Sequence, residues 1–267
     1  MTDATIMDPE ERQQTCANML AIASGKGGVG KTWLSVTLSQ ALARHGQRVL
    51  LFDGDLGLAN VDIQLGLHPD NDLGGVLDGS YALKDAVVAH PSGGFDVIAG
   101  RSGTGSLANI PVGRLQQLMD DLAALAPAYG KVILDLGAGL DRTVRHLAGM
   151  ARTSLVVATD EPTSLTDAYA FIKLAHMQTP EADLRIVINM AASPAEGERT
   201  YATLLKACES FLKISPPLAG VIRRDGKVKD AIRHQVPILT RHPNSDAAQD
   251  IEAVVNRLTA KNAPGRN

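Results

Sequence analysis

One ten-residue run constrains this chain more than any other part of it: Ala23-Ser24-Gly25-Lys26-Gly27-Gly28-Val29-Gly30-Lys31-Thr32, set between an apolar segment and a stretch with helical spacing. Four glycines let backbone N–H groups turn inward, Lys31 offers a point charge, and the Thr32 hydroxyl can ligate Mg²⁺. The helix that follows points its positive dipole end at the same place. Gly25, Gly30, Lys31 and Thr32 satisfy G-x-x-x-x-G-K-[ST], the pattern of a loop that holds a polyphosphate with its magnesium. Gly25-x-Gly27-x-x-Gly30 also spells a dinucleotide fingerprint, with Asp53 at the distance of a ribose-binding acid. Lys31-Thr32 decides between the two, because a bridging pyrophosphate needs neither an ammonium nor a metal-binding hydroxyl. The expected ligand is therefore a nucleotide polyphosphate with Mg²⁺, with contacts running from Gly25 through Trp33.

At 267 residues and 45% apolar content, the chain can bury the core of one α/β domain, placed at 17–259 between tails at 1–16 and 260–267. The net charge of −3 does not suit a general polyanion binder, so nucleic acid is not an expected partner. A solvated helix face accounts for the one dense basic cluster, Arg223, Arg224, Lys227, Lys229 and Arg233. Cys16 and Cys208 form no C-x-x-C and no disulfide framework. They read as inert thiols in a reducing compartment. With no apolar run of membrane-spanning length and no secretory start, a cytoplasmic protein is expected.

Short apolar runs bounded by turn residues recur at Met19–Ala23, Arg48–Asp53, Phe95–Ala99, Lys131–Asp135, Ser154–Thr159, Arg185–Asn189 and Leu218–Ile222. Helical stripes lie between most of them, such as Leu34, Leu38, Ala41 and Leu42, or Leu115, Leu118, Met119, Leu122 and Leu125. The alternation predicts a three-layer, doubly wound, mostly parallel sheet with helices on both faces and ligands at the strand carboxyl ends. Asp53, Asp135 and Asn189 each end a strand. Asp53-Gly54-Asp55 offers two carboxylates at the mouth of the loop, where Mg²⁺ and water need oxygen ligands. Val132-Ile133-Leu134-Asp135 is an apolar strand tipped by an acid suited to magnesium-bound water. Asn189 can read an adenine edge with its amide. Trp33, the single tryptophan, reads as a packing or dimer-edge residue beside the loop, with no chemical role.

Lys26 is not required by the general phosphate-loop pattern. With it, the run resembles the deviant Walker A signature K-G-G-x-G-K-[ST] of the MinD/ParA-type ATPases, and the resemblance extends from about Asn18 to Leu258. It implies a nucleotide-sandwich homodimer in the ATP state, with Lys26 reaching phosphates bound by the opposing subunit. It further implies that Asp53 lies near the metal in switch I, that Asp55 positions the attacking water, and that Leu136-Gly137-Ala138-Gly139 is switch II. A second base contact would come from backbone around Ile222-Arg223-Arg224-Asp225.

Leu56-Gly57-Leu58-Ala59-Asn60-Val61-Asp62, Glu161 to Tyr169, and Val187-Ile188-Asn189-Met190 look most like the FlhG/FleN branch, which controls the number and placement of flagella. That resemblance implies an SRP-type GTPase, FlhF, as partner, together with flagellar basal-body components or a transcription activator. Asp8 to Gln14 corresponds loosely to the segment with which such proteins stimulate the GTPase. Division-site MinD-type and DNA- or cargo-positioning ParA-type ATPases are the neighbouring readings, and a nucleotide-gated antagonist is a third. The missing C-x-x-C disfavours an iron–sulfur carrier. Ala247, Ile251, Val254, Val255 and Leu258 form an amphipathic stripe better suited to packing on the domain than to a membrane. Weak reversible contact with the inner membrane face or a cell pole is the lesser expectation.

Overall fold

The computed structural model describes residues 16–100 and 110–260. The seven apolar runs all become strands, joined by one further strand at the sheet edge. In chain order they are β1 (Met19–Ser24), β2 (Val49–Gly54), β3 (Val87–His90), β4 (Phe95–Ile98), β5 (Lys131–Ala138), β6 (Thr153–Ala158), β7 (Asp183–Ala191) and β8 (Leu218–Arg223). The sheet order is β3-β4-β2-β5-β1-β6-β7-β8. Every neighbouring pair is parallel except β3 with β4. The interior strands β1 and β2 are buried on both faces, which is why they read as continuous apolar runs without alternation.

The helices are α1 (Lys31–Arg44), α2 (Val61–Leu65), α3 (Leu73–Asp78), α4 (Val112–Leu125), α5 (Arg142–Met150), α6 (Pro162–Gln178), α7 (Pro194–Phe211), α8 (Gly226–Arg233), α9 (Ile238–Arg241) and α10 (Asp246–Thr259). Residues of α4, α5, α6 and α7 share one core with Met19, Phe52, Leu134 and Ile188. Residues of α1, α2, α8, α9 and α10 share the other with Leu20, Leu51, Ile133 and Val187. These are the two outer layers of the three-layer architecture.

Helix α1 is buried around most of its circumference, so its apolar stripe is only part of its covered surface. Its hydroxyls are satisfied inside the layer: Ser39 donates to the Ser35 carbonyl and Thr37 to that of Trp33, each at 2.7 Å, and Ser35 Oγ lies 3.0 Å from the Lys31 carbonyl. Cys16, placed by sequence in the N-terminal tail, is buried in the core, and its carbonyl accepts the Met19 N–H at 2.9 Å. The remaining tail residues, including Asp8 to Gln14 and those after Ala260, lie outside the described residues. Burial pushes the Cys208 thiol up to about 11, so it stays protonated and unreactive near neutrality.

On α10, Ala247, Ile251, Val254 and Val255 are fully enclosed, and Leu258 packs against the same core. The stripe is thus spent on β8 and α1. We expect Ile251→Ala to cost about 2–5 kcal/mol of stability, as buried large-to-small changes do, measurable by urea denaturation. A loss below about 1 kcal/mol would mean that this face is not packed as described. No helix among the described residues is long and apolar enough to cross a membrane.

Candidate nucleotide site

The central strand β1 lies between β5 and β6, where the chain's progress across the sheet reverses, and the loop from Gly25 to Gly30 leaves its carboxyl end. Such a switch point opens a crevice for ligands. Gly28 and Gly30 have φ of 79° and 90°, a region that side chains disfavour. Gly30 caps α1 without any side-chain hydrogen bond to the first turn. The cradle therefore presents its N–H groups toward an anion. Two glycines are also fixed by close approach. A Cβ on Gly25 would lie 2.2 Å from the Asp167 carbonyl oxygen of α6, and one on Gly30 would lie 2.5 Å from Asn189 Nδ2.

Asn189 is buried at the end of β7, and its Nδ2 donates to the Val29 carbonyl at 2.7 Å. It braces the loop from behind. The Lys31 ammonium is buried and donates to Ser24 Oγ at 3.0 Å, and Ser24 Oγ donates to the Lys26 carbonyl at 2.6 Å. Desolvation lowers the Lys31 pKa, while the charges of Asp135 and Asp55 raise it in part. A dehydrated cation near the cradle gains much from an arriving phosphate.

Asp53 and Asp135 are direct neighbours in the β2–β5 register and both are buried. Asp135 Oδ1 accepts from Ser35 Oγ at 2.8 Å. Burial pushes Asp135 up to about 6 against the hydrogen bonds of Thr32 and Ser35 and the charge of Lys31. Asp53 accepts the N–H groups of Asp55, Asn60 and Val61 at 3.2, 3.1 and 3.1 Å, folding the segment from Asp55 onto the start of α2. Burial first, and the Asp135 charge second, push it up to about 8. Asp55 is half-buried, takes the Leu58 N–H on Oδ1 at 3.1 Å, and faces Gly137, where a Cβ would come within 3.2 Å of that oxygen. Strand β5 continues past Asp135 to Ala138, so most of the expected switch II segment is strand, and Gly139 supplies the turn with φ 102°.

Two carboxylates raised above their unfolded values stabilise the nucleotide-free fold most at acid pH, and this contribution is lost as pH rises through about 6 and then about 8. The thermal midpoint without ligand should accordingly fall from pH 5 to pH 9, and Asp53→Asn should flatten the upper part of that slope. A midpoint that rises over the same range would contradict the assignment.

Lys26 does not point into its own cradle. Its ammonium contacts Glu161 Oε2 and donates to Thr163 Oγ1 at 3.0 Å, both at the start of α6. Glu161 is the N-cap residue of α6 but makes no capping bond, its carboxylate being used by Lys26, which also lowers its pKa. Arg223 lies away from the loop in its bonding. Its guanidinium pairs with Asp250 and Asp246 of α10, and its N–H donates to Asp250 Oδ2 at 2.8 Å. Trp33 is buried between α1 and the turn of α2 and α8.

Sequence reasoning did not find Ser24, Ser35, Glu161 or Thr163 as partners of Lys31, Asp135 and Lys26. Single hydroxyls in helices and cap carboxylates carry no spacing signal until the strands are placed.

The donor set suits a nucleotide with magnesium: an uncapped helix start, a dehydrated ammonium, and the Thr32 hydroxyl beside Asp135. Among the described residues no group of three or more His, Cys, Asp or Glu is placed to hold a metal ion by itself. Mg²⁺ held by one or two side chains, phosphate oxygens and water needs none.

Comparison with known proteins agrees. The sequence pattern described as the CobQ/CobB/MinD/ParA nucleotide binding domain matches residues 20–238. The chain is 38% identical over 240 residues to the Antiactivator FleN of Pseudomonas aeruginosa, spanning 90% of this chain and 85% of that one. It is 31% identical to the Flagellum site-determining protein YlxH of Helicobacter pylori, over 91% and 82% of the two chains. The crystal structure of the cell division ATPase MinD of Pyrococcus furiosus superposes with a TM-score of 0.77 at 24% identity, covering 91% of this chain and 98% of that one. This chain belongs to the CobQ/CobB/MinD/ParA nucleotide-binding family, in its FlhG/FleN branch, as an ATPase of the MinD/ParA type.

Proposed function

We propose that this protein is an ATP-gated dimerising switch that sets the number or placement of flagella. The observation that carries the flagellar reading is its likeness to FleN and YlxH over about nine-tenths of its length. The dimer reading is supported by Lys26, which stands outside its own cradle on the rim of the site.

In this reading Lys31 and the loop from Gly25 to Thr32 bind the phosphates, and Thr32 and Asp135 organise the metal shell with Asp53 behind them. Mg²⁺ supplies neutralisation of charge on the β- and γ-phosphates. Asp55 orients the attacking water and its backbone reports the nucleotide state through Gly137. Lys26 swings from Glu161 to the opposite subunit's phosphates. Asn189, with backbone near Arg223, borders the base. The assembled dimer engages an SRP-type GTPase of the FlhF kind, basal-body components or a transcription activator, in the cytoplasm with reversible contact at the membrane or a pole.

The test is genetic and visual. Deleting the gene in its host should change the number of flagella per cell counted by electron microscopy, with restoration by the intact gene and not by Lys31→Ala. Normal flagella with minicells would sink the flagellar reading and favour septum placement.

A further inference from the structure

Ser24 is the single polar residue of β1, and it is enclosed at the strand's carboxyl end. Three bonds meet on it. Its hydroxyl donates to the Lys26 carbonyl at 2.6 Å, its Oγ accepts from the Lys31 ammonium at 3.0 Å, and its own carbonyl accepts the Gly139 N–H at 3.0 Å. A serine hydroxyl carries one proton, so with that proton on the loop backbone it can only accept from Lys31. The lysine is thereby tied to the loop that forms the cradle, and two of its three protons remain free for a phosphate.

The competing partners of Lys31 are carboxylates. Asp135 and Asp55 both act on its charge, Asp135 the more strongly, yet among the described residues it forms an ion pair with neither. In so dehydrated a site, an ammonium released from Ser24 would swing to one of them, because an ionised carboxylate is a stronger acceptor than a hydroxyl. There it would be neutralised and turned away from the phosphate path, on the side chains that serve metal and water.

We propose that Ser24 is a positioning residue, holding the Lys31 ammonium on the phosphate side of the site against the pull of Asp135 and Asp55, so that the β-phosphate of an arriving nucleotide meets a cation already in place. The inference rests on the reading of Lys31 as the phosphate-binding lysine. Its own content is the hydroxyl, which the loop pattern does not require, since G-x-x-x-x-G-K-[ST] begins one residue later at Gly25. A ligand contact held ready before binding costs less to form.

The test is calorimetric titration of the full chain with ADP and with AMP, both without metal. Ser24→Ala, which removes one oxygen and adds no bulk, should lower ADP affinity about tenfold. AMP lacks the β-phosphate, so its affinity should stay within about twofold. Ser24→Cys, with a thiol that is a weak acceptor, should lie between alanine and the parent for ADP. In an Asp135→Asn background, where one competing carboxylate is gone, Ser24→Ala should cost less than about threefold. An unchanged ADP affinity in Ser24→Ala, or an equal loss for ADP and AMP, would overturn the role, the second by showing that the hydroxyl only shapes the loop. A full tenfold loss in the Asp135→Asn background would overturn the restraint against that carboxylate. Lys31→Ala separates the two readings: ADP binding retained there would overturn the premise itself, whereas binding lost there and kept in Ser24→Ala would overturn Ser24 alone.

Discussion

Lys31→Ala should abolish measurable binding of Mg²⁺-ATP and Mg²⁺-ADP, with affinity falling about 100-fold or more. The ammonium is buried, it donates to Ser24 Oγ, and desolvation already lowers its pKa. A phosphate restores to it what burial removes. Charge-assisted hydrogen bonds contribute about 1.5–3 kcal/mol each, and a loss near the upper end is about a 100-fold change in the dissociation constant. Alanine also removes the cation that offsets Asp135 and Asp55, leaving a pocket of carboxylates to repel the incoming phosphates. Titration with a fluorescent nucleotide analogue reads the effect, and the thermal midpoint without ligand checks the fold. An affinity within about threefold of the parent would show that the loop binds through backbone alone.

Most of the fold was legible because parallel strands buried on both faces announce themselves as apolar runs. Strand β3 was not, since Val87-Val88-Ala89-His90 is short, half-exposed and at the edge, where only its antiparallel pairing with β4 identifies it. The loop, Asp53, Asp55, Asp135 and Asn189 were placed together from their positions at strand ends, and the structure brings all of them to one crevice. What each carboxylate touches was not legible. Asp53 uses both oxygens to gather three backbone N–H groups, a structural task that reading Asp53-Gly54-Asp55 as a carboxylate pair for Mg²⁺ and water does not reveal. Arg223 likewise looked like part of a free basic face until α10 brought Asp246 and Asp250 against it. Long-range ion pairs depend on the packing of helices whose order in space the sequence does not state.

Lys26 and Asp55 should separate assembly from turnover. Lys26→Ala removes a cation that is outside the local cradle, so nucleotide affinity of the monomer should change little. Sedimentation with a slowly hydrolysed ATP analogue should find no dimer. Asp55→Ala should still dimerise with ATP, while hydrolysis falls by about 10²-fold or more, the scale of a lost water-positioning or proton-accepting group. Full turnover in that variant would remove the role given to Asp55. A third variant tests the route by which Lys26 becomes available. Its side-chain contacts are to Glu161 and Thr163, and the pair with Glu161 is solvent-exposed. Exposed ion pairs are worth about 1 kcal/mol at most. Glu161→Gln should therefore raise the dimer fraction at limiting ATP only severalfold, and high salt should bring the parent protein toward the variant. Phosphates presented by a second subunit can outcompete so weak a contact. A dimer fraction that falls in Glu161→Gln would show that the carboxylate steers Lys26 toward its partner and does not hold it back.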